Sequence, residues 1–83
     1  MTEFKQRVLA VVRSIREGAT LSYKEVALRA GHPGASRAVG MLMKHNQDPT
    51  VPCHRVIKSD GTIGGYNKGS EKKRALLEKE GAL

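Results

Sequence analysis

The sequence predicts a small, mainly α-helical domain of helix-turn-helix type, winged-helix-like, with about four helices and one short two-stranded element. Three observations predict it. The chain has 83 residues, enough for one domain over 1–83 and too few for a barrel or a doubly wound sheet. Its apolar residues recur at helical rather than alternating spacing in the first half. Two of those helical stretches are separated by a tight glycine-containing turn, Gly31-His32-Pro33-Gly34.

The first helix is expected over Thr2 to Glu17. Phe4, Val8, Val11, Val12 and Ile15 form an apolar stripe, Thr2 is a candidate N-cap and Gly18 suits the position after the end. A second helix starts at Ser22, where Ser22-Tyr23-Lys24-Glu25 fits a capping box. Val26, Ala27 and Leu28 are its candidate buried face. A third helix runs from Ala35 to His45, with Ala38, Val39, Leu42 and Met43 available for packing. Pro49 and Pro52 then break helical continuity, so Val51 to Ile57 reads as irregular or single-turn backbone. Lys58-Ser59-Asp60-Gly61 is a turn, and Thr62-Ile63 is expected to pair with Val56-Ile57 as a hairpin. A last helix begins with Ser70 as N-cap, packs through Ala75, Leu76 and Leu77, and ends at Gly81.

Fifteen Lys and Arg against eight Asp and Glu leave a formal net charge of +7. Such a domain suits a polyanionic partner, with nucleic acid first among the candidates. The single cysteine, Cys53, excludes an internal disulfide framework, a zinc ribbon and a Cys-x-x-Cys redox pair. No apolar run is long enough to span a bilayer or to serve as a signal peptide, and a free thiol then points to a reducing cytoplasm. His32, His45, Cys53 and His54 lack zinc-ligand spacing, so no metal is expected.

Cys53 stands between Pro52 and His54. A thiol at its reference pKa of about 8.5 is only a few per cent thiolate at neutral pH, so a nucleophilic cysteine needs a base and a group that orients the base. His54 is the candidate base. Glu78, Glu80 and Asp60 are the candidate carboxylates, and spacing leaves the three open.

Pro52-Cys53-His54-Arg55-Val56 resembles the active-site motif of the O6-alkylguanine-DNA alkyltransferases, the methylated-DNA–protein-cysteine methyltransferase family. Arg37-Ala38-Val39-Gly40 is similar to that family's recognition-helix motif, Asn46 to its hinge asparagine, Gly64-Gly65-Tyr66 to its pocket loop, and Leu76-Leu77 through Glu80-Gly81 to its closing helix. The resemblance runs from Phe4 to Gly81 and covers only the family's C-terminal, DNA-binding and active-site domain. It implies that Cys53 accepts the alkyl group, that His54 deprotonates it through a water, and that Glu80 orients His54. It implies that Asn46 holds the turn after the recognition helix and that Tyr23 donates a proton to the departing guanine. Arg37 would enter the DNA stack and fill the space of the extruded nucleotide. Ala35, Ser36, Lys44, Arg55 and Tyr23 would meet DNA, with Lys58 a further phosphate contact. Val56, Gly65, Tyr66, Met43 and Pro52 would shape the pocket, with Asn67 beside the lesion oxygen.

The implied activity is single-turnover repair of alkylated guanine in double-stranded DNA by a monomer, with no cofactor. The family's larger members carry an N-terminal domain for which this chain has no room, and any structural zinc belongs with that part. Gln47 stands where the family often has Pro, Asn67 where Ser is common, and the loop from Asn46 to Cys53 is slightly short. Two other readings compete. One is an alkyltransferase-like protein that flips the lesion without repairing it and marks it for excision-repair proteins; in that group the cysteine is replaced. The other is a helix-turn-helix regulator with a structural cysteine, which leaves Cys53-His54 and Gly64-Gly65-Tyr66 without a role.

Overall fold

A computed structural model describes residues 2–62 and 69–83. In chain order they form α1 (Thr2–Arg13), β1 (Leu21–Ser22), α2 (Tyr23–Arg29), α3 (Ser36–His45), one 3₁₀ turn (Cys53–Arg55), β2 (Val56–Ile57) and α4 (Ser70–Lys79). The mainly helical class, with four helices and a two-stranded element, is as the sequence predicts.

Helix α1 buries Phe4, Val8 and Val12, and Ile15 continues that stripe into the core. The helix stops at Arg13, four residues before Glu17. Ser14 shares its N–H between the carbonyls of Ala10 (3.2 Å) and Val11 (3.1 Å), and its hydroxyl donates to Val11 O (2.5 Å). Ile15 N–H then reaches Val12 O at 3.1 Å, so the last turn tightens to 3₁₀ and unwinds. Gly18 therefore closes no helix. It holds φ +90°, and a Cβ there would stand 3.3 Å from the carbonyl oxygen of Glu80, so glycine lets the chain pass close to the end of α4.

Ser22 caps α2 as expected. Its hydroxyl accepts from Glu25 N–H (3.0 Å), and the Glu25 carboxylate accepts from Ser22 N–H (3.2 Å). Ser22→Ala should cost about 1 kcal/mol, lowering a thermal melt followed by circular dichroism by about 4–8 °C. An unchanged melt would refute the cap's contribution. The buried face of α2 is Val26, Ala27 and, just past its end, Ala30. Leu28 is 60% exposed, because two residues from Val26 is the far side of a helix. Ala35 takes the N-cap position of α3 without a side-chain bond, and Val39 and Met43 face the core.

The structure adds a parallel pair that the sequence did not announce: Leu21 lies opposite Val56 and Ser22 opposite Ile57. The turn beyond it does form. Lys58 N–H donates to Thr62 O (2.9 Å), and Asp60 Oδ1 accepts from Thr62 N–H (3.0 Å) and the Thr62 hydroxyl (2.7 Å). Ile63 lies outside the described residues.

In α4, Gly69 holds the N-cap position and Ser70 is the first helical residue. Leu77 is fully buried, whereas Ala75 is exposed. The buried side of α4 carries 73 and 77, one turn apart, so a lysine, Lys73, takes the place expected of an apolar residue. The helix ends in a Schellman motif: Gly81 N–H bonds Glu78 O (3.1 Å) and Ala82 N–H bonds Leu77 O (2.9 Å), with Gly81 at φ +80°. That motif fixes Glu80 as the C-cap residue.

Candidate active site and nucleic-acid interface

Pro52 sets the backbone before the cysteine. Its φ of −78° and ψ of 67° make an inverse γ-turn, closed by Cys53 N–H to Val51 O at 2.8 Å. Arg55 N–H to Pro52 O (2.9 Å) then winds the chain into the 3₁₀ turn. Successive residues of such a turn point about 120° apart, which lets Cys53 enter the core while its two neighbours turn to the end of α4. Cys53 enters the core at 6% exposure.

His54 and Arg55 both turn to Glu80. His54 Nε2 lies 2.8 Å from Glu80 Oε2; Arg55 donates to both carboxylate oxygens (Nε 2.9 Å, Nη2 2.8 Å). A third guanidinium nitrogen reaches Ile15 O at 2.8 Å. Arg55 foremost, then the His54 bond, hold the Glu80 carboxyl down from 4.5 to about 2. An ionised carboxylate only accepts hydrogen bonds, so Nε2 must carry the proton. The basic lone pair of a neutral His54 is then on Nδ1. Of the three carboxylates left open by spacing, Glu80 is the one placed on His54. Arg55, expected on DNA phosphates, is a correction: its charge is turned inward as a clamp on Glu80.

Asn46 ends α3, and its side-chain amide spans the backbone of Asp48, donating to Asp48 O (3.2 Å) and accepting from Asp48 N–H (3.3 Å). Asp48 in turn accepts from Thr50 and from Arg13 of α1 (3.2 Å). These bonds hold the start of the loop beside a cavity of about 410 Å³ that Asn46, Pro52, Cys53 and His54 help to line.

A second cleft, of about 440 Å³, brings together Tyr23, Ser36, Arg37 and Lys58 with Gly40 between them. Arg37 is exposed there at the start of α3. Tyr23 belongs to both regions: it lines the cleft, and its hydroxyl is pushed up from 10.0 first by burial and then by the charge of Cys53. Ala35 does not line this cleft; it faces a separate groove with Phe4 and His32. Lys44 is exposed near the end of α3. Val56 and Met43 are core residues at 0% and 4% exposure. Gly65, Tyr66 and Asn67 lie outside the described residues. Among the described residues no cluster of His, Cys, Asp or Glu could hold a metal ion, and no helix is long and apolar enough to cross a membrane.

A family model described as 6-O-methylguanine DNA methyltransferase, DNA binding domain, matches residues 3–82. The chain belongs to this family. It is 53% identical over 81 residues to a methylated-DNA--protein-cysteine methyltransferase of Methanothermobacter thermautotrophicus, covering 96% of this chain and 45% of that protein. It thus spans about half the length of the curated relatives it matches. Its fold is similar to Mycobacterium tuberculosis OGT in complex with DNA, with a TM-score of 0.91 and 48% identity over 99% of this chain and 52% of that one. It is also similar to S. pombe Atl1 in complex with damaged DNA containing O6-carboxymethylguanine, with a TM-score of 0.89 and 39% identity over 98% of this chain and 78% of that one.

The family resemblance read from the sequence therefore stands, but two residues at the site escaped that reading. Lys73 carried no reading at all. Its register with Leu77 was the available signal. The inward role of Arg55 had no local signal, since its partner is 25 residues away.

Proposed function

We propose that this domain binds duplex DNA, extrudes an O6-alkylated guanine and transfers the alkyl group to Cys53 in a single turnover. The observation that carries the reading is the His54 ring, anchored by Glu80 and following directly on a buried Cys53. His54 Nδ1 takes the thiol proton through a water. The thiolate forms a bond to the alkyl carbon, the carbon–oxygen bond breaks, and its electron pair stays on the guanine. Tyr23 passes its proton to the guanine, which leaves neutral. A thioether is stable, so the chain is spent after one transfer, and no cofactor is required. Extruding the nucleotide costs a few kcal/mol, which Arg37 offsets by occupying the gap. Ser36, Lys44 and Lys58 supply further contacts to the backbone. The protein acts as a monomer.

Incubation with a duplex holding one O6-methylguanine, followed by intact-protein mass, tests the reading. Gain of one methyl group in place of a hydrogen is expected; no gain at any protein concentration would overturn it. The second reading, lesion recognition without repair, draws support from the likeness to Atl1 over nearly the whole chain. Lesion-selective binding with no mass change favours it, and excision-repair proteins would then be the partners.

Arg37→Ala should weaken binding to the lesion duplex about tenfold more than binding to the undamaged duplex, a difference of about 1.4 kcal/mol. Fluorescence anisotropy on the two duplexes measures it. Equal losses on both would make Arg37 an ordinary phosphate contact.

A further inference from the structure

Helix α3 has two unlike faces. Val39 and Met43 are buried against the core, and Arg37, Met41 and Lys44 are exposed on the other side. Residues three and four apart share a helix face, so these three make one stripe, cation, thioether, cation. The helix carries no acidic residue, and no ion pair engages Arg37 or Lys44 among the described residues. The two charges suit phosphate. Met41 does not, because a thioether offers a phosphate oxygen no donor. Yet Met41 is 55% exposed in the middle of the stripe.

Gly40, next to Met41, points to the same face. It lines the cleft with Arg37 and Lys58, and a Cβ there would meet nothing within 4 Å. Glycine inside a helix costs about 1 kcal/mol relative to alanine, and no packing within the protein requires it here. A bare strip of backbone beside an exposed apolar side chain suits a partner that comes close to the helix. Leu28 and Leu83 are comparably exposed, and single apolar residues on a surface are ordinary. Met41 differs from them in its register with Arg37 and Lys44 and in the open glycine beside it.

We propose that Met41 is a second wedge, whose thioether packs on the base pair flanking the gap that Arg37 fills and holds that step unstacked while the nucleotide is out. The inference rests on the extrusion reading given under Proposed function. Four residues advance a helix by about 6 Å, and two base-pair rises amount to about 7 Å. With Arg37 in the gap, Met41 therefore falls beside the neighbouring step. Opening a duplex uncovers the apolar face of a flanking pair, and a flexible, polarizable side chain moulds to such an irregular surface. Apolar wedges, methionine among them, are a general means of holding base steps apart. Arg37 and Lys44 supply grip on either side, and Met41 supplies contact that exists only when the stack is open.

The test uses the Cys53→Ala chain, so that the lesion persists. Duplexes with one O6-methylguanine carry 2-aminopurine on one flank or the other, or pyrrolocytosine opposite the lesion. Emission of each probe rises on unstacking, and all are read at saturating protein. The opposite probe reports extrusion, and the flanking probes report the wedge. One flanking probe should brighten, and adding Met41→Ala should remove most of that rise. The same change should weaken lesion-duplex binding about tenfold and undamaged-duplex binding by no more than about twofold. Met41→Leu, still apolar, should keep both the rise and the affinity. Position 41 is exposed, so all three chains should melt alike. A flanking rise that survives Met41→Ala, equal losses on both duplexes, or a Met41→Leu chain that behaves as Met41→Ala would overturn the proposal. So would a loss seen only in self-association, read by light scattering without DNA, which would assign the face to a second copy of the chain. If the opposite probe stays dark, the extrusion reading fails and the wedge falls with it. If it brightens and the flanks ignore Met41→Ala, the wedge alone fails.

Discussion

Replacing Glu80 with alanine should lower the thermal midpoint by about 10–25 °C, the largest loss expected of any single surface-reaching side chain here. The carboxylate is 9% exposed and accepts from His54 Nε2 and from two nitrogens of Arg55. Without it, a guanidinium that is 16% exposed loses its paired carboxylate and is left with Ile15 O and the charge of Glu17 among the described residues. Breaking such a pair costs about 3 kcal/mol, the lower end of the range for buried pairs because this one still touches solvent. That is a large part of the stability of a domain this size. The acid titration provides an independent check. Glu80 is held at about 2 in the folded chain against 4.5 ordinarily. A depressed carboxylate contributes fully above its unfolded value and loses that contribution as pH falls through the folded one. The gap in melting temperature between wild type and Glu80→Gln should therefore be constant above about pH 5, shrink between 4.5 and 2, and close below 2. Melts of the two proteins followed by circular dichroism from pH 7 to 2 measure it. A gap that persists unchanged at the acid end would show that shape, not charge, holds the clamp.

Cys53→Ala should abolish alkyl transfer completely while leaving lesion binding within a few-fold of wild type. The chain has one thiol, and the other side chains at the site offer no comparably soft nucleophile. The truncation removes a single sulfur from a site 6% exposed, costing about 1 kcal/mol, so the protein remains folded and able to bind. Wild type should plateau at one lesion consumed per chain, with no later turnover. Radiolabelled O6-methylguanine duplex, titrated with each protein, reads both quantities. Transfer by Cys53→Ala, or more than one lesion consumed per wild-type chain, would sink the single-turnover mechanism.

What was legible in the chain was what local chemistry dictates. Ser22 and Glu25 announce a capping box because each satisfies the other's backbone within three residues. Pro52 announces a break because its ring fixes φ, and the break is where the 3₁₀ turn carrying Cys53 and His54 begins. The missed features depend on partners far along the chain. A two-residue parallel pair leaves no alternation long enough to read, so the pairing of Val56-Ile57 with Leu21-Ser22 went unseen. Arg55 was read by its charge alone, and charge does not say whether a guanidinium faces solvent or a carboxylate 25 residues later. Leu28 was miscounted within a short helix, where two residues decide which side faces in. Lys73 carried no reading, although its place four residues before Leu77 puts it on the buried side of α4.

The pairing of Leu21-Ser22 with Val56-Ile57 reaches across 35 positions, and Tyr23 and Cys53 flank it on either strand. No fragment of the chain can therefore reproduce the environment of the sulfur. The thiol is shielded only when both halves have found each other, so its chemical reactivity doubles as a gauge of global assembly. Modification rates of Cys53 measured in increasing urea should follow the cooperative unfolding of the whole domain rather than the fraying of its neighbours.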